Sequence, residues 1–273
     1  MLRTRVLTAL VIGPLAFALV FMTSPDRFGL IFAALMMVAS WEYRRLAGLK
    51  GGLSGAALLL IQAVLLFILY RQRLAVNAHA LALLTAGCLV WLLMFVRLII
   101  FRPGAHIDFQ YRIVSSACAL ASLSFTWIAM FYLASLQAGP WWILLLFLVI
   151  WSADTGAYFV GRAIGKRKLA EHISPSKTMA GFGGGLASAA VVAVIAVSLI
   201  PRIDATVLQI VPLAVITALV SVGGDLFISL HKRTSGLKDS GRILPGHGGI
   251  LDRTDSLLAG APFFALGLVI LGW

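Results

Sequence analysis

The sequence predicts an all-α, polytopic integral membrane protein with about nine transmembrane helices and a cytoplasmic N-terminus. Of its 273 residues, 61% are hydrophobic and only 12% are charged, a balance typical of chains that span a bilayer. The apolar residues gather into nine stretches, each roughly long enough to cross about 30 Å of hydrocarbon. Basic residues concentrate in alternate connections between the stretches, which indicates the side that faces the cytoplasm.

Each apolar stretch is predicted to be a helix, because unpaired backbone groups are costly in lipid and the alternation of a membrane barrel is absent. The second and sixth stretches are short, so either their helices extend into flanking polar residues or the count is lower than nine. In chain order the stretches are Val6–Met22, Phe28–Trp41, Leu53–Tyr70, Ala80–Phe101, Ile113–Leu136, Trp141–Ala153, Phe182–Ile200, Thr206–Leu230 and Ser256–Trp273.

The orientation follows from the basic residues. A cytoplasmic N-terminus places 17 of the 22 Lys and Arg residues inside and four outside, and leaves Arg97 within a helix. This bias explains most of the net charge of +12 and would attract anionic lipid headgroups, so we predict no nucleic-acid partner. The inside residues are Arg3, Arg5, Arg44, Arg45, Lys50, Arg102, Arg112, Arg162, Lys166, Arg167, Lys168, Lys177, Lys232, Arg233, Lys238, Arg242 and Arg253.

The chain divides by composition into two parts of one integrated membrane domain. Residues 1–140 have short loops and few acids, namely Asp26, Glu42 and Asp108, and we interpret them as scaffold helices. Residues 141–273 contain long, charged, glycine-rich loops, and we interpret them as the catalytic region.

The most charged segment runs from residue 225 to residue 255, where nine of 31 residues are Asp, Lys or Arg. Ionisable residues are costly near a bilayer and usually face a polar cavity or an interface, so the cluster indicates a functional site. Carboxylates that alternate with cations and glycines suit a divalent metal together with a polyphosphate. The carboxylates are Asp225, Asp239, Asp252 and Asp255.

Asp225, Ser229 and Lys232 are spaced i, i+4 and i+7, so they are predicted to share one face of the eighth helix. The preceding Gly223 and Gly224 would allow another helix or a ligand to approach closely. The alternative interpretation is a buried Asp–Lys pair that locks helix packing, which leaves the serine and the further carboxylates unexplained.

The loop after this helix joins charged residues to a glycine-rich turn around one histidine. Its backbone N–H groups are predicted to be free for phosphate oxygens, although glycine and proline also mark ordinary turns. At the ninth helix, Asp255 has the alternative role of a helix N-cap, whereas Asp252 has none that the sequence suggests. The other residues concerned are Arg233, Lys238, Asp239, Gly246, His247, Gly248, Gly249 and Arg253.

A second polar cluster begins with Asp154 and Tyr158, which share a helical face with Arg162. The basic turn at 166–168 is explained by positive-inside topology alone. The next segment combines hydroxyl groups with a lysine, a combination suited to phosphate contacts. Its residues are Ser174, Lys177 and Thr178.

Missing motifs narrow the class of protein. The GFGGG run at 181–185 fails the dinucleotide-binding pattern, and its Gly181 and Gly185 spacing predicts close helix packing instead. The sequence has neither a P-loop motif nor a Cys/His set with zinc spacing. The remaining ligand chemistry is carboxylate oxygen, which indicates Mg²⁺, with Mn²⁺ as the alternative, and leaves a monovalent cation open.

These motifs resemble a known family. The stretch Ser229-x2-Lys232-Arg233-x4-Lys238-Asp239-x-Gly241-x2-Leu244-Pro245-x-His247-Gly248-Gly249-x2-Asp252-Arg253-x-Asp255 closely resembles the signature of phosphatidate cytidylyltransferases, also called CDP-diacylglycerol synthases. The upstream Asp154-Thr-Gly-Ala-Tyr-Phe-x-Gly-Arg and Ser174-Pro-x-Lys177-Thr178 are similar to that family as well. The resemblance is specific from about residue 150 to residue 260. Three positions depart from the family pattern: Ala180, Ile228 and His231.

The resemblance implies that CTP and phosphatidic acid react to give CDP-diacylglycerol and pyrophosphate. It implies Mg²⁺ held by Asp225 and Asp252, with Asp239 and Asp255 as outer or second ligands. Phosphate charge would be neutralised by Lys232, Arg233, Lys238 and Arg253, and His247 would orient the pyrophosphate or the base. The substrate-binding residues would be Asp154, Tyr158, Ser174, Lys177, Thr178, Ser229, Gly246, Gly248 and Gly249. No general base is assigned, because the attacking phosphate is already ionised.

Two other functions stay open at this point. One is a diverged membrane nucleotidyltransferase that acts on another lipid phosphate, and the other is an ion or solute transporter. The clustering of charges at one membrane face and the lack of an inverted repeat disfavour the transporter. The expected location is the bacterial inner membrane with the active site facing the cytoplasm, and a homodimer is left open.

Overall fold

The structure, a computed structural model, describes residues 2–49, 52–100 and 106–273, and for residues 2–7 and 9 it describes the backbone only. Six residues named in the sequence predictions therefore lie outside the described backbone or side chains: Arg3, Arg5, Val6, Lys50, Phe101 and Arg102. Within the described ranges the helices are α1 (Leu2–Met22), α2 (Pro25–Leu46), α3 (Gly52–Arg71), α4 (Ala80–Ile100), α5 (Phe109–Ser135), α6 (Gly139–Ile164), α7 (Met179–Leu199), α8 (Val207–Thr234) and α9 (Leu251–Leu271).

Seven of these helices, α3 to α9, are long and apolar enough to cross a membrane. The chain is therefore an integral membrane protein, and the predicted all-α membrane fold is confirmed. The described apolar part of α1 is shorter, at Leu10–Met22, and charged residues at both ends of α2 shorten its apolar centre. The two short stretches do extend as predicted: α2 begins at Pro25 and α6 continues to Ile164.

Several helices begin at residues whose side chains accept hydrogen bonds from the first turn. Asp108 Oδ1 accepts from Tyr111 N at 2.6 Å before α5, and Thr178 Oγ1 accepts from Gly181 N at 3.1 Å before α7. Helix α9 differs, because its N-cap residue is Ile250, which has no side chain that can accept. Its first turn must be satisfied by groups from elsewhere in the chain.

One connection contains β structure that the sequence analysis did not predict. Strands β1 (Lys168–Ala170) and β2 (Ser174–Thr178) form an antiparallel hairpin between α6 and α7. Strands this short carry no apolar periodicity, so only the pairing itself reveals them. The hairpin ends directly at α7 and thereby fixes the position of the hydroxyl and lysine side chains of β2.

Glycines bring α6 and α7 into close backbone contact. A Cβ added at Gly185 would lie 2.7 Å from the carbonyl oxygen of Ala153, and one at Gly181 would lie 2.6 Å from that of Ala157. The predicted close helix packing at these two glycines is confirmed. It places the C-terminal half of α6 beside the hairpin.

Helices α8 and α9 also pack closely, at the predicted Gly224. A Cβ at this glycine would lie 2.7 Å from the carbonyl oxygen of Asp255. Helix α5 lies behind them, where the Thr126 hydroxyl donates to the carbonyl oxygen of Leu258 at 3.0 Å. The last turns of α8, the first turns of α9 and the hairpin therefore meet at one end of the helix bundle.

Candidate active site

The two sequence clusters meet at an ion pair between β2 and α8. Lys177 Nζ lies 2.5 Å from Asp225 Oδ2, and both side chains are about one-fifth exposed, at 22% and 23%. The Ser229 hydroxyl donates to Asp225 Oδ1 at 3.2 Å, as expected for residues one helical turn apart. The predicted shared face of Asp225 and Ser229 is confirmed. Lys177, from the polar cluster that begins at Asp154, supplies the positively charged group of the ion pair.

Lys232 pairs with a different carboxylate. Its Nζ lies 2.9 Å from Asp252 Oδ1, and the two side chains are only 14% and 7% exposed. The alternative of a buried Asp–Lys pair that locks helix packing is therefore realised by Lys232 and Asp252. This pair joins α8 to α9. The Asp252 Oδ2 atom accepts two backbone hydrogen bonds, from Ser240 N at 2.8 Å and Gly249 N at 2.9 Å, and lies 3.0 Å from Ser240 Oγ.

Two more carboxylates face the Lys177–Asp225 pair. Asp154 of α6 interacts electrostatically with both members of that pair, and Asp255 of α9 interacts with Asp225, Lys232 and Asp154. Asp255 Oδ1 accepts from Ser256 N at 2.9 Å. The N-cap alternative for Asp255 is wrong, because α9 begins four residues earlier at Leu251.

The donor chemistry of this cluster suits a hard cation, but its geometry is not a preformed metal site. The carboxylates of Asp154, Asp225, Asp252 and Asp255 outnumber the ammonium groups of the two lysines that pair with them, which favours an added divalent cation. In the described part of the chain, however, no three His, Cys, Asp or Glu side chains converge on a common point. A cation bound to Asp225 would share that carboxylate with Lys177, which contacts Oδ2.

The glycine-rich turn is tightly closed. Leu244 N donates to Gly248 O and His247 N donates to Leu244 O, both at 2.9 Å. Gly246 and Gly248 have φ angles of 76° and 82°, which favour glycine. The prediction of free N–H groups is wrong for His247 and for Gly249, whose N–H groups donate to Leu244 and Asp252 respectively. These backbone hydrogen bonds and φ angles are those of an ordinary tight turn.

His247 has one ring nitrogen whose hydrogen-bonding capacity the described part of the chain does not satisfy. Its Nδ1 is buried and has no hydrogen-bond partner among the described residues. Its carbonyl oxygen accepts from Arg253 Nε at 3.0 Å, which ties the exposed Arg253 side chain to the turn. The imidazole therefore has a buried polar atom that no described residue satisfies.

The other predicted site residues differ in how closely they approach the cluster. Arg233 Nε donates to Ile173 O at 3.1 Å and so ties the end of α8 to the hairpin. Tyr158 is exposed, and its OH accepts from Arg162 at 3.0 Å. Lys238 and Asp239 are exposed and form no ion pair or hydrogen bond among the described residues. The remaining residues, Ser174 and Thr178, are half-buried and buried respectively.

The sequence analysis did not single out Glu42, which the structure brings to the segment that carries Asp252. This carboxylate of α2 is fully buried. It accepts hydrogen bonds from Leu251 N at 2.8 Å, Ile250 N at 3.2 Å and Ser240 Oγ at 3.1 Å. The signal for it in the sequence is an ionisable residue beside an apolar stretch, in a half of the chain that otherwise has the composition of scaffold helices.

The departures from the family pattern lie mainly in the core. Ile228 and His231 are both fully buried. His231 Nδ1 lies 2.9 Å from Phe227 O, and the imidazole packs against the rings of Tyr43 and Tyr111. Both side chains therefore pack inside the helix bundle.

Comparison with known proteins agrees with the motif resemblance. The model of the family described as "Cytidylyltransferase family" matches residues 3–271. The phosphatidate cytidylyltransferase of Pseudomonas aeruginosa is 38% identical over 273 residues, which are 100% of this chain and 99% of that protein. That of Haemophilus influenzae is 34% identical over 282 residues, covering 97% and 98% of the two chains. That of Bacillus subtilis is 46% identical over 127 residues, or 46% of this chain and 47% of that protein.

Proposed function

The chain belongs to the cytidylyltransferase family, and we propose that its charged cluster carries out cytidylyl transfer at one end of the helix bundle. The reaction is the condensation of CTP with phosphatidic acid to CDP-diacylglycerol and pyrophosphate, a step of phospholipid biosynthesis. The observation that carries the site assignment is the meeting of Lys177, Asp225, Lys232 and Asp252 from three elements of the fold.

The proposed reaction needs no covalent bond between the protein and a substrate. A phosphate oxygen of phosphatidic acid forms a bond to the α-phosphorus of CTP, and the bond from that phosphorus to the oxygen bridging to the β-phosphate breaks. Pyrophosphate leaves with the electron pair, and no proton has to be removed from the ionised nucleophile. Because two polyanions must approach each other, positioning and charge neutralisation dominate catalysis.

The cations of the site have distinct places in this scheme. Lys177 and Lys232 are held by carboxylates at the centre, and either can exchange its carboxylate for a phosphate oxygen as the substrates enter. Arg233, Lys238 and Arg253 are exposed at the rim, where they neutralise the outer phosphates. The imidazole of His247 contacts the pyrophosphate or the base, and the hydroxyl of Ser174 faces the phosphates from the hairpin side. The Thr178 hydroxyl is buried and caps α7, so it supports the hairpin and does not contact the phosphates.

Magnesium is proposed as the cofactor, bound by Asp225 and Asp252 with Asp239 and Asp255 as outer or second ligands. When bound, the ion would neutralise charge on the triphosphate and polarise the α-phosphorus. The geometry favours Asp225 as the first ligand, with Asp154 and Asp255 beside it. Asp252 already accepts from Lys232 Nζ, Ser240 N and Gly249 N, and it shares the Ser240 hydroxyl with Glu42. Asp252 then has the further task of holding Lys232.

The proposed topology has nine spans, with the N-terminus and the active site at the cytoplasmic face of the bacterial inner membrane. One contact supports placing the N-terminus and the active site on the same side of the membrane. The hydroxyl of Thr8, near the start of α1, donates to Pro245 O at 2.8 Å. The start of α1 and the loop before α9 therefore lie at the same end of the bundle. Binding of anionic lipids by the basic loops, the lack of a nucleic-acid partner and a homodimer remain predictions.

The decisive experiment is an assay of the detergent-purified protein with CTP and phosphatidic acid, with and without Mg²⁺. We expect CDP-diacylglycerol only when CTP, phosphatidic acid and the metal are all present, and none from an Asp225→Ala control of equal purity. An intact, folded wild-type protein that makes no product would contradict the proposal. Saturable flux through liposomes without CTP would support the transporter instead.

A further inference from the structure

Glu42 lies in the N-terminal half of the chain, yet it contacts the segment that carries Asp252. Its side chain is fully buried at the end of α2. A buried carboxylate is costly unless its oxygens accept hydrogen bonds. Here both oxygens accept, from Ile250 N, Leu251 N and Ser240 Oγ.

These contacts complete the start of α9. The first N–H groups of a helix have no partner within the helix, and a negative charge there is stabilised by the helix dipole. Since the N-cap residue Ile250 cannot accept, Glu42 supplies from α2 the cap that the local sequence lacks. The position of the first turn of α9, and therefore of Asp252, depends on a residue about 200 positions earlier in the chain.

The loop backbone is shaped around this carboxylate. A Cβ added at Gly241 or at Gly249 would collide with the Glu42 carboxylate oxygens. Both glycines have ordinary or extended backbone conformations, because neither has a positive φ. Their lack of a side chain is thus explained by the space that Glu42 occupies and not by backbone strain.

The hydroxyl of Ser240 links Glu42 to Asp252. Ser240 Oγ lies 3.1 Å from Glu42 Oε2 and 3.0 Å from Asp252 Oδ2, and Asp252 Oδ1 holds Lys232 Nζ at 2.9 Å. The hydroxyl has one proton and can donate to only one carboxylate at a time. Ser240 N donates to Asp252 Oδ2 in addition, so the serine fixes the distance between the two carboxylates.

We propose that Glu42 is a positioning residue of the active site, which acts through Ser240 and the first turn of α9 to place Asp252 and Lys232. This inference rests on the proposed function, because it assigns Lys232 to the phosphates. Glu42 touches no substrate in this scheme. Its contribution is to hold Asp252 and Lys232 in the position from which Lys232 contacts the phosphates.

The test compares Glu42→Gln, Ser240→Ala and the double variant by steady-state kinetics. Gln can satisfy only one of the backbone donors, so we expect kcat to fall at least about tenfold with KM changed less than about threefold, since small misplacements of catalytic groups cost this much. Ser240→Ala should lower kcat by a smaller factor, and the double variant should equal Glu42→Gln alone, because both residues act along one path.

Gln62→Met is the matched control. Gln62 is also a fully buried polar residue of the N-terminal half, and its Nε2 donates to Ser124 Oγ at 3.1 Å, away from the site. This variant should leave kcat unchanged. Wild-type kcat in Glu42→Gln, or strictly additive effects of Glu42→Gln and Ser240→Ala, would overturn the proposal.

Backbone hydrogen exchange separates failure of this inference from failure of the proposed function. In Glu42→Gln, exchange in peptides covering residues 240–252 should rise at least about tenfold while the other helices keep wild-type protection. That result does not require an active enzyme. Unchanged exchange in this segment would overturn the inference even if the wild-type protein makes CDP-diacylglycerol. Should Glu42→Gln fail to fold, Ser240→Ala gives the same two readouts.

Discussion

Lys177 of β2 and Asp225 of α8 form a 2.5 Å ion pair that closes the hairpin over the last turns of α8. The pair joins two motifs that are separated in the sequence by the whole of α7. Both side chains retain about one-fifth exposure, so the pair is accessible to a ligand while its charges are partly desolvated. In the proposed reaction this lysine is therefore placed to contact a substrate phosphate.

Replacement of Lys177 by Met should lower kcat/KM at least about 100-fold, because loss of one preorganised charge at a transition state has effects of this size. Lys168→Met is the control, since Lys168 lies on β1 of the same hairpin and is exposed. Both variants are measured by CDP-diacylglycerol formation. Equal activity of the two variants would remove Lys177 from the site.

Asp225→Asn should reduce turnover below about 1% of wild type, because the amide cannot bind a cation as a carboxylate does. The amide oxygen can still accept from Ser229, so the fold should be retained. Asp26→Asn serves as the control, as Asp26 pairs with Arg73 at an exposed position. Near-normal activity of purified Asp225→Asn would refute the assignment of Asp225 as a metal ligand, and the same holds for Asp252→Ala.

Lys232 and Asp252 should show strong coupling in a double-mutant cycle of stability. Each single change, Lys232→Met or Asp252→Asn, leaves a partly buried charge unpaired and should cost about 1–3 kcal/mol. The double variant should be less destabilised than the sum, because no unpaired charge remains. Thermal unfolding in detergent measures this. Additive effects would mean that the 2.9 Å pair contributes little.

The α6–α7 interface should not tolerate a side chain at Gly185. Gly185→Val would drive a Cβ against the carbonyl oxygen of Ala153 at 2.7 Å and should destabilise the protein by about 1–3 kcal/mol. Gly183 on the same helix has open space around its added Cβ. Gly183→Ala should therefore be neutral or raise stability by up to about 1 kcal/mol, from helix propensity. Equal melting temperatures for the two variants would contradict the interface.

The proposed orientation predicts which introduced cysteines react from each side of the membrane. Arg242→Cys, in the loop before α9, should react with an impermeant maleimide only in inverted vesicles. Asp204→Cys, in the connection between α7 and α8, should react in intact cells whose outer layers are permeable to the reagent. Both positions are exposed, whereas the native Cys88 and Cys118 are buried. The reverse labelling pattern would invert the topology.

The sequence predicted those parts of the site that lie close together in the chain. Asp225 and Ser229 are one helical turn apart, so their shared face follows from helical periodicity alone. The small-residue contact at Gly181 and Gly185 follows from the same periodicity. The pairing of Lys232 could not be predicted, because its partner Asp252 lies across a loop whose path no local pattern specifies.

The sequence by itself determined the membrane class, the helices and the family, because hydrophobic length, helical spacing and motif chemistry are local properties. Tertiary structure decided which carboxylate holds which lysine, and it assigned Glu42 to the start of α9. The physical reason is that α9 begins without a cap of its own, and an unsatisfied helix terminus is completed by whichever buried acceptor the packing of helices brings to it. That acceptor lies in α2, at a distance in sequence that no spacing rule reaches.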